Sequence, residues 1–244
     1  MTNQNEIAIN FKNVCYEIDQ LSILNNITGV FYKGKITTLV GPSGSGKTTL
    51  LKMCNGLISP TTGEIFIQNE PITSYEPTFL RKNVGIGLQS APIIRGTVYE
   101  NLALPYNLQN KKFSEDDAIS ALEGVGLDSS FLHRHASDLS GGQRQKLSIA
   151  RTLINRPQIL LLDEITSALD PTSVYEIEEL ILNINQKHNA TIIWITHNID
   201  QAKRLGHFTW IMMEGQLLES GESKILSNSS NELIHQFAVG GQKK

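Results

Sequence analysis

Gly41-Pro42-Ser43-Gly44-Ser45-Gly46-Lys47-Thr48 is the stretch that decides the fold. It fits the GxxxxGK[ST] spacing of a phosphate-binding loop (P-loop). It also stands where such a loop must, after an apolar strand predicted at 36–40 and before a helix predicted over 48–55 and closed by Gly56. Glycines let the backbone wrap so that its N–H groups face phosphate oxygens. Lys47 can reach the β- and γ-phosphates, and Thr48 offers a hydroxyl to Mg²⁺. The nucleotide-binding run is read as extending through Thr49.

Outward from this loop the chain alternates. Short strands of an antiparallel patch are expected within 7–31, with turns such as Lys33-Gly34-Lys35 between segments. Helices are expected at 143–155, stopped by Pro157, and at 172–188, with a strand at 191–196. Residues 90–137 read as predominantly helical, with Ser114 as an N-cap before the segment 118–124. Ile159-Leu160-Leu161-Leu162 is continuous and apolar, the pattern of a strand buried on both faces of a parallel sheet, and it ends in Asp163-Glu164. Two carboxylates at the carboxyl edge of such a sheet stand where α/β folds bind ligands: Asp163 to support Mg²⁺, Glu164 to polarise water.

Leu139-Ser140-Gly141-Gly142-Gln143 is a second glycine-rich helix start, whose Ser140, Gly142 and Gln143 can donate hydrogen bonds to phosphate oxygens. On this run the sequence resembles the ABC (ATP-binding cassette) ATPases, and the resemblance covers about 7–221. It implies a P-loop NTPase fold of class α/β: a mostly parallel sheet with an N-terminal antiparallel β subdomain, plus a small helical subdomain. The expected division is one cassette over 1–244, with a catalytic core at about 6–89 and 138–225 and the helical part at about 90–137. The resemblance also implies ATP and Mg²⁺ as cofactors, the ion held by Thr48, Gln89 and Asp163. One ATP needs one P-loop, so the second donor set is expected to close over the ATP of a facing copy, giving a homodimer glued by two nucleotides.

The same resemblance assigns further roles. Tyr16 looks like the aromatic residue that stacks on adenine, and Gln89 like the residue joining metal and water to the helical part. Asp170, in Ser167-Ala168-Leu169-Asp170, looks like the acid of the loop after the catalytic pair, and His197 like the histidine that contacts the γ-phosphate. Lys47, Glu164 and His197 are the expected catalytic set. The sequence departs from many relatives at Ile165, where proline is common, and at Lys146, where arginine is common; neither change touches a phosphate-contacting group. His133 and His135 lie in a polar loop and read as surface residues rather than a metal pair.

Composition bounds the rest. With 244 residues, 40% hydrophobic and 18% charged, the chain is large enough for one substantial core. A balance of 21 Lys+Arg against 24 Asp+Glu, net −3, gives no basic footprint for nucleic acid, and no nucleic-acid partner is expected. Cys15 and Cys54 stand far apart, indicating neither a disulfide framework nor a zinc site and fitting a reducing compartment. The start, Met1-Thr2-Asn3-Gln4-Asn5-Glu6, does not read as a secretory signal, and the ends at 228–231 and 240–244 read as loose. No apolar run approaches the ~18 residues that span a bilayer. The resemblance implies a cytoplasmic protein, peripheral on the inner face of the cell membrane and bound there to a separate transmembrane permease through the region 89–102.

Cargo is the thinnest reading. Gly96-Thr97-Val98-Tyr99-Glu100-Asn101-Leu102-Ala103-Leu104-Pro105, together with the run 163–170, is similar to the Fet-type iron exporters and their plant aluminium-tolerance relatives. Trp194-Ile195-Thr196-His197-Asn198, followed by Gln201-Ala202, resembles phosphate-import ATPases, leaving import of an inorganic anion as the alternative. ABC ATPases of DNA repair, chromosome structure or translation form a third class. Their long insertions or paired cassettes have no counterpart in this sequence.

Overall fold

The computed structural model describes residues 6–228; the polar start at 1–5 and the stretches 229–231 and 240–244 lie outside the described residues. Strand β1 (Ile7–Ile18) pairs antiparallel with β2 (Leu21–Tyr32), and β3 (Ile36–Val40) leads into α1 (Lys47–Met53). Then follow β4 (Thr62–Ile67), β5 (Glu70–Pro71), α2 (Pro77–Asn83) and β6 (Val84–Gly87). Helices α3 (Val98–Asn107), α4 (Glu115–Glu123) and α5 (Gly141–Leu153) precede β7 (Ile159–Asp163), α6 (Pro171–His188) and β8 (Thr191–Ile195). The described chain ends with α7 (Ile199–Leu205), β9 (Phe208–Met213), β10 (Gln216–Glu222) and α8 (Ile225–Asn228), so Asn228, expected to be loose, closes a helix.

The strands form two sheets. One has the order β2-β1-β4-β5 and is antiparallel; the other runs β10-β9-β3-β8-β7-β6, parallel except for the edge strand β10. Side chains alternate across the parallel sheet, and the apolar residues sort accordingly. Leu160, Leu162, Ile192 and Trp194 pack with α3, α4, α5 and α6 on one face. Ile159, Leu161, Ile193 and Ile195 pack with α1 and the antiparallel sheet on the other. Phe31 stacks on Trp210 at 4.2 Å between ring centroids, and Phe11 meets Phe31 edge-on at 5.9 Å, which ties the two sheets together.

Residues 7–31, read as several short strands, are two 12-residue strands in one hairpin. Its turn residues, Asp19 and Gln20, are both left-handed. The alternation breaks up because Asn13 and Asn26 also adopt positive φ and the register shifts around them; Thr28 Oγ1 accepts from the Asn13 N–H and donates to its Oδ1. Ser114 caps α4 as expected, its hydroxyl accepting from the Asp117 N–H. The expected 143–155 helix starts two residues earlier, because Ser140 caps it from inside the glycine-rich run. Strands β4, β6, β9 and β10 and helices α2 and α7 are short or weakly patterned and were not anticipated.

Candidate functional site

The parallel strands end along one edge, and the site grows from the loops that leave it. Gly41 follows β3 with φ 149, and a Cβ there would lie 2.0 Å from the Met212 carbonyl, so the loop presses against β9. Gly46 turns the chain into α1 with φ 93, and a Cβ on it would meet Leu24 at 2.6 Å. Among the described residues, the N–H groups of Gly44, Gly46, Lys47, Thr48 and Thr49 have no acceptor in the chain, which leaves a row of donors along the loop.

Lys47 is only 4% exposed. Its ammonium donates to the Gly41 carbonyl at 2.9 Å, the Pro42 carbonyl at 2.8 Å and Ser45 Oγ at 3.3 Å. Burial pulls the amine below its ordinary range, while the carboxylates of Glu164 and Asp163 pull it back up. Ser43 is exposed.

Thr48 donates its hydroxyl to Asp163 Oδ1 at 3.1 Å, which joins the start of α1 to the end of β7. Burial pushes the Asp163 carboxyl above its usual range and the neighbouring Glu164 adds to this; the Thr48 hydrogen bond, Lys52 and Lys47 oppose it. A hydroxyl and a carboxylate oxygen side by side at the mouth of a phosphate loop suit Mg²⁺, which takes one or two protein oxygens and fills its remaining positions with water and phosphate. Among the described residues no hydrogen bond joins Gln89 to this pair. The Gln89 amide instead donates to Ser167 Oγ at 2.9 Å, and Ser167 donates to the Glu164 carbonyl at 2.9 Å. Gln89 therefore reaches the Glu164 backbone through Ser167.

Glu164 stands just beyond β7 with φ 49, a left-handed conformation that is unfavourable for a side chain of this size. Its N–H donates to the Ile195 carbonyl, and its Oε1 lies 2.6 Å from His197 Nε2, the imidazole donating to the carboxylate. Lys47, Thr48, Asp163, Glu164 and His197 thus gather at one sheet edge. Tyr16 sits on β1 opposite Leu24, the residue against Gly46, one strand from the loop.

The run 140–143 lies elsewhere. Ser140 and Gln143 form a capping box: Ser140 Oγ accepts from the Gln143 N–H at 3.2 Å and Gln143 Oε1 accepts from the Ser140 N–H at 2.9 Å. A Cβ on Gly142 would meet Ser173 Oγ at 2.5 Å, and one on Gly141 would meet Leu169, so this helix start packs against the beginning of α6. Among the described residues no hydrogen bond joins it to the loop 41–49. Asp170 caps α6, accepting from the Thr172 and Ser173 N–H groups and the Ser173 hydroxyl, which hold its carboxyl below the usual range. His133 lies 3.9 Å from Glu115, as a surface side chain does. Ser167 and Gln145, whose amide reaches the Leu88 carbonyl at 3.4 Å, were not anticipated, since a serine or glutamine in such a place carries no spacing signal.

The profile of the ABC transporter family matches residues 24–167. YjkB of Bacillus subtilis (strain 168), described as an ABC transporter ATP-binding protein, is 43% identical over 98% of this chain and 97% of its own length. The probable iron export ATP-binding protein FetA of Escherichia coli (strain K12) is 35% identical over 81% of this chain and 88% of its own. Among solved structures, cbiO1 from Clostridium perfringens, part of the ABC transporter complex cbiONQ, superposes with a TM-score of 0.83 at 28% identity, over 96% of this chain and 95% of its own. The cassette MJ0796, a dimer in a post-hydrolysis state bound to ADP and Pi, superposes with a TM-score of 0.77 at 30% identity, over 88% of this chain and 98% of its own. The chain belongs to the ABC transporter family, as an ATP-binding cassette of the class that couples ATP hydrolysis to transport.

Proposed function

We propose that two copies of this chain close head to tail around two ATP molecules and power a separate permease. The observation that carries this is the separation of two donor sets: the loop 41–49 gathers with Asp163, Glu164 and His197, while Ser140, Gly142 and Gln143 cap a helix that packs on α6. A facing copy supplies the second set to the first. The dimer of the similar cassette MJ0796 supports this arrangement. Tyr16 stacks on the adenine, Lys47 and the loop donors hold the phosphates, and the helices of 90–137 form an arm that Gln89 links to the site.

Thr48 and Asp163 would hold Mg²⁺, which supplies charge neutralisation to the β- and γ-phosphates when bound. Glu164 accepts a hydrogen bond from the attacking water and takes up its proton as the bond from the water oxygen to the γ-phosphorus forms. The bond to the β-phosphate oxygen breaks, and Lys47 offsets the charge that moves there. His197 holds the Glu164 carboxylate and reaches the γ-phosphate. Closure is favoured by ATP because both donor sets grip it only in the closed dimer, and hydrolysis removes that grip.

The cargo proposed is a metal ion, exported as FetA's description states for iron, with the chain held on the inner face of the membrane by its permease. Among the described residues no helix is long and apolar enough to cross a membrane. Co-purification of the tagged chain with a polytopic membrane protein, and a rise in cellular iron on its deletion, test this reading. A change in phosphate content instead would favour anion import, and recovery with only ribosomes or DNA would overturn the transport reading.

A further inference from the structure

Gln201 stands four residues after His197, in α7, with 2% of its surface exposed. Its Nε2 donates to Glu178 Oε1 at 2.8 Å and to Thr166 Oγ1 at 3.2 Å. Glu178, 3% exposed, binds Arg204 through its other oxygen. Thr166 lies two residues after Glu164. One buried amide therefore spans three elements: the loop that carries Glu164, the helix that follows His197, and α6. Apart from the Glu164–His197 contact, the Gln201–Thr166 bond is the one side-chain bond between 164–170 and 196–205 among the described residues.

The orientation of that amide is fixed by chemistry. Turned over, its oxygen would face the Glu178 carboxylate, which can only accept. As it stands, Gln201 Oε1 is buried with no hydrogen-bond partner among the described residues. A buried carbonyl left unpaired is unfavourable, and what offsets it is the amide's two donations, to the buried Glu178 carboxylate and to Thr166. Packing alone does not explain a glutamine here.

We infer that Gln201 is a positioning residue, which sets His197 against Glu164 by bolting α7 to the loop at Thr166. The inference rests on the proposed reading of Glu164 and His197 as the reacting pair. Without the bolt, the two loops remain joined by the backbone bond from the Glu164 N–H to the Ile195 carbonyl, but the 2.6 Å contact loses its lateral support. Among the described residues no hydrogen bond joins Gln201 to the 41–49 loop, so nucleotide binding is expected to be independent of it.

Steady-state ATP hydrolysis by the purified full chain tests this. Gln201→Leu is expected to lower kcat about tenfold with KM for ATP within about twofold of the parent, as a small displacement of a reacting group does. In a His197→Ala background the same substitution is expected to lower kcat no further, because the group it positions is gone. Thr166→Val, which removes the acceptor from the other side and keeps the side chain's shape, should repeat both results if Gln201→Leu does not fold. A parental kcat in the folded variant, or a further tenfold loss in the His197→Ala background, overturns the inference alone. A parental kcat in His197→Ala itself overturns the reacting pair, and the inference with it.

Discussion

Glu164 Oε1 and His197 Nε2 meet at 2.6 Å although 33 residues separate them, each just past the end of its strand. The neighbouring strands β7 and β8 are in parallel register, with Asp163 opposite Ile195, so the loops that leave them emerge side by side. The contact is thus a product of sheet register, and it places an acceptor and a donor at the edge where the Lys47 loop also ends.

Glu164→Gln removes the proton acceptor and keeps the shape. ATP binding is expected to survive while kcat falls at least about a hundredfold, the usual contribution of a positioned base. Sedimentation in the presence of ATP should show a dimer that the parent forms only transiently. A monomer that still hydrolyses ATP would contradict the proposed site.

Asp163→Asn is expected to stabilise the nucleotide-free chain near neutral pH. Burial, the largest cause, raises the folded-state pKa of Asp163 above its unfolded value. A carboxyl raised in this way favours the fold only where it is protonated, and that contribution is lost as pH rises through the folded pKa. The advantage of asparagine should therefore be larger at pH 7 than at lower pH, shrinking as pH falls toward the ordinary aspartate range, about 4. Urea unfolding midpoints at the two pH values measure it, and Mg²⁺-dependent ATP hydrolysis should be lost in the same variant.

Gly41→Ala forces a Cβ to within 2.0 Å of the Met212 carbonyl at a φ of 149. Loss of about 3 kcal/mol of unfolding free energy is expected, in the range for strain at a special backbone position. Urea denaturation without nucleotide would show it, and a shift under about 0.5 kcal/mol, typical of unconstrained surface sites, would count against the close packing of the loop on β9.

Ile94 leaves 37% of its surface exposed in the segment proposed to meet the permease, and its backbone is held by the Asn101 side chain on both sides. Ile94→Glu is expected to reduce recovery of the permease with the tagged chain about tenfold, on the scale of losing one apolar anchor. The unfolding midpoint should stay within about 0.5 kcal/mol of the parent. Undiminished recovery would move the docking surface elsewhere.

The local pattern of the chain determined which residues are candidates for the chemistry. Gly41 to Thr48 specify a loop because their spacing is a backbone property. Asp163 and Glu164 are marked by the apolar run before them, which reads as a strand buried on both faces. The same locality explains the misses. The β1–β2 hairpin was hidden by left-handed Asn13 and Asn26, and Ser167 and Gln201 bond to partners that the sequence does not bring near. What tertiary structure alone decided was assembly. It joined Thr48 to Asp163, Glu164 to His197 and Gln201 to Thr166 through the parallel register of β3, β8 and β7, and it turned Gln89 toward Ser167. Hydrogen bonds between residues 30 to 120 positions apart depend on which strands lie side by side, and that order is set by burying both faces of the sheet at once, a property of the whole chain rather than of any segment.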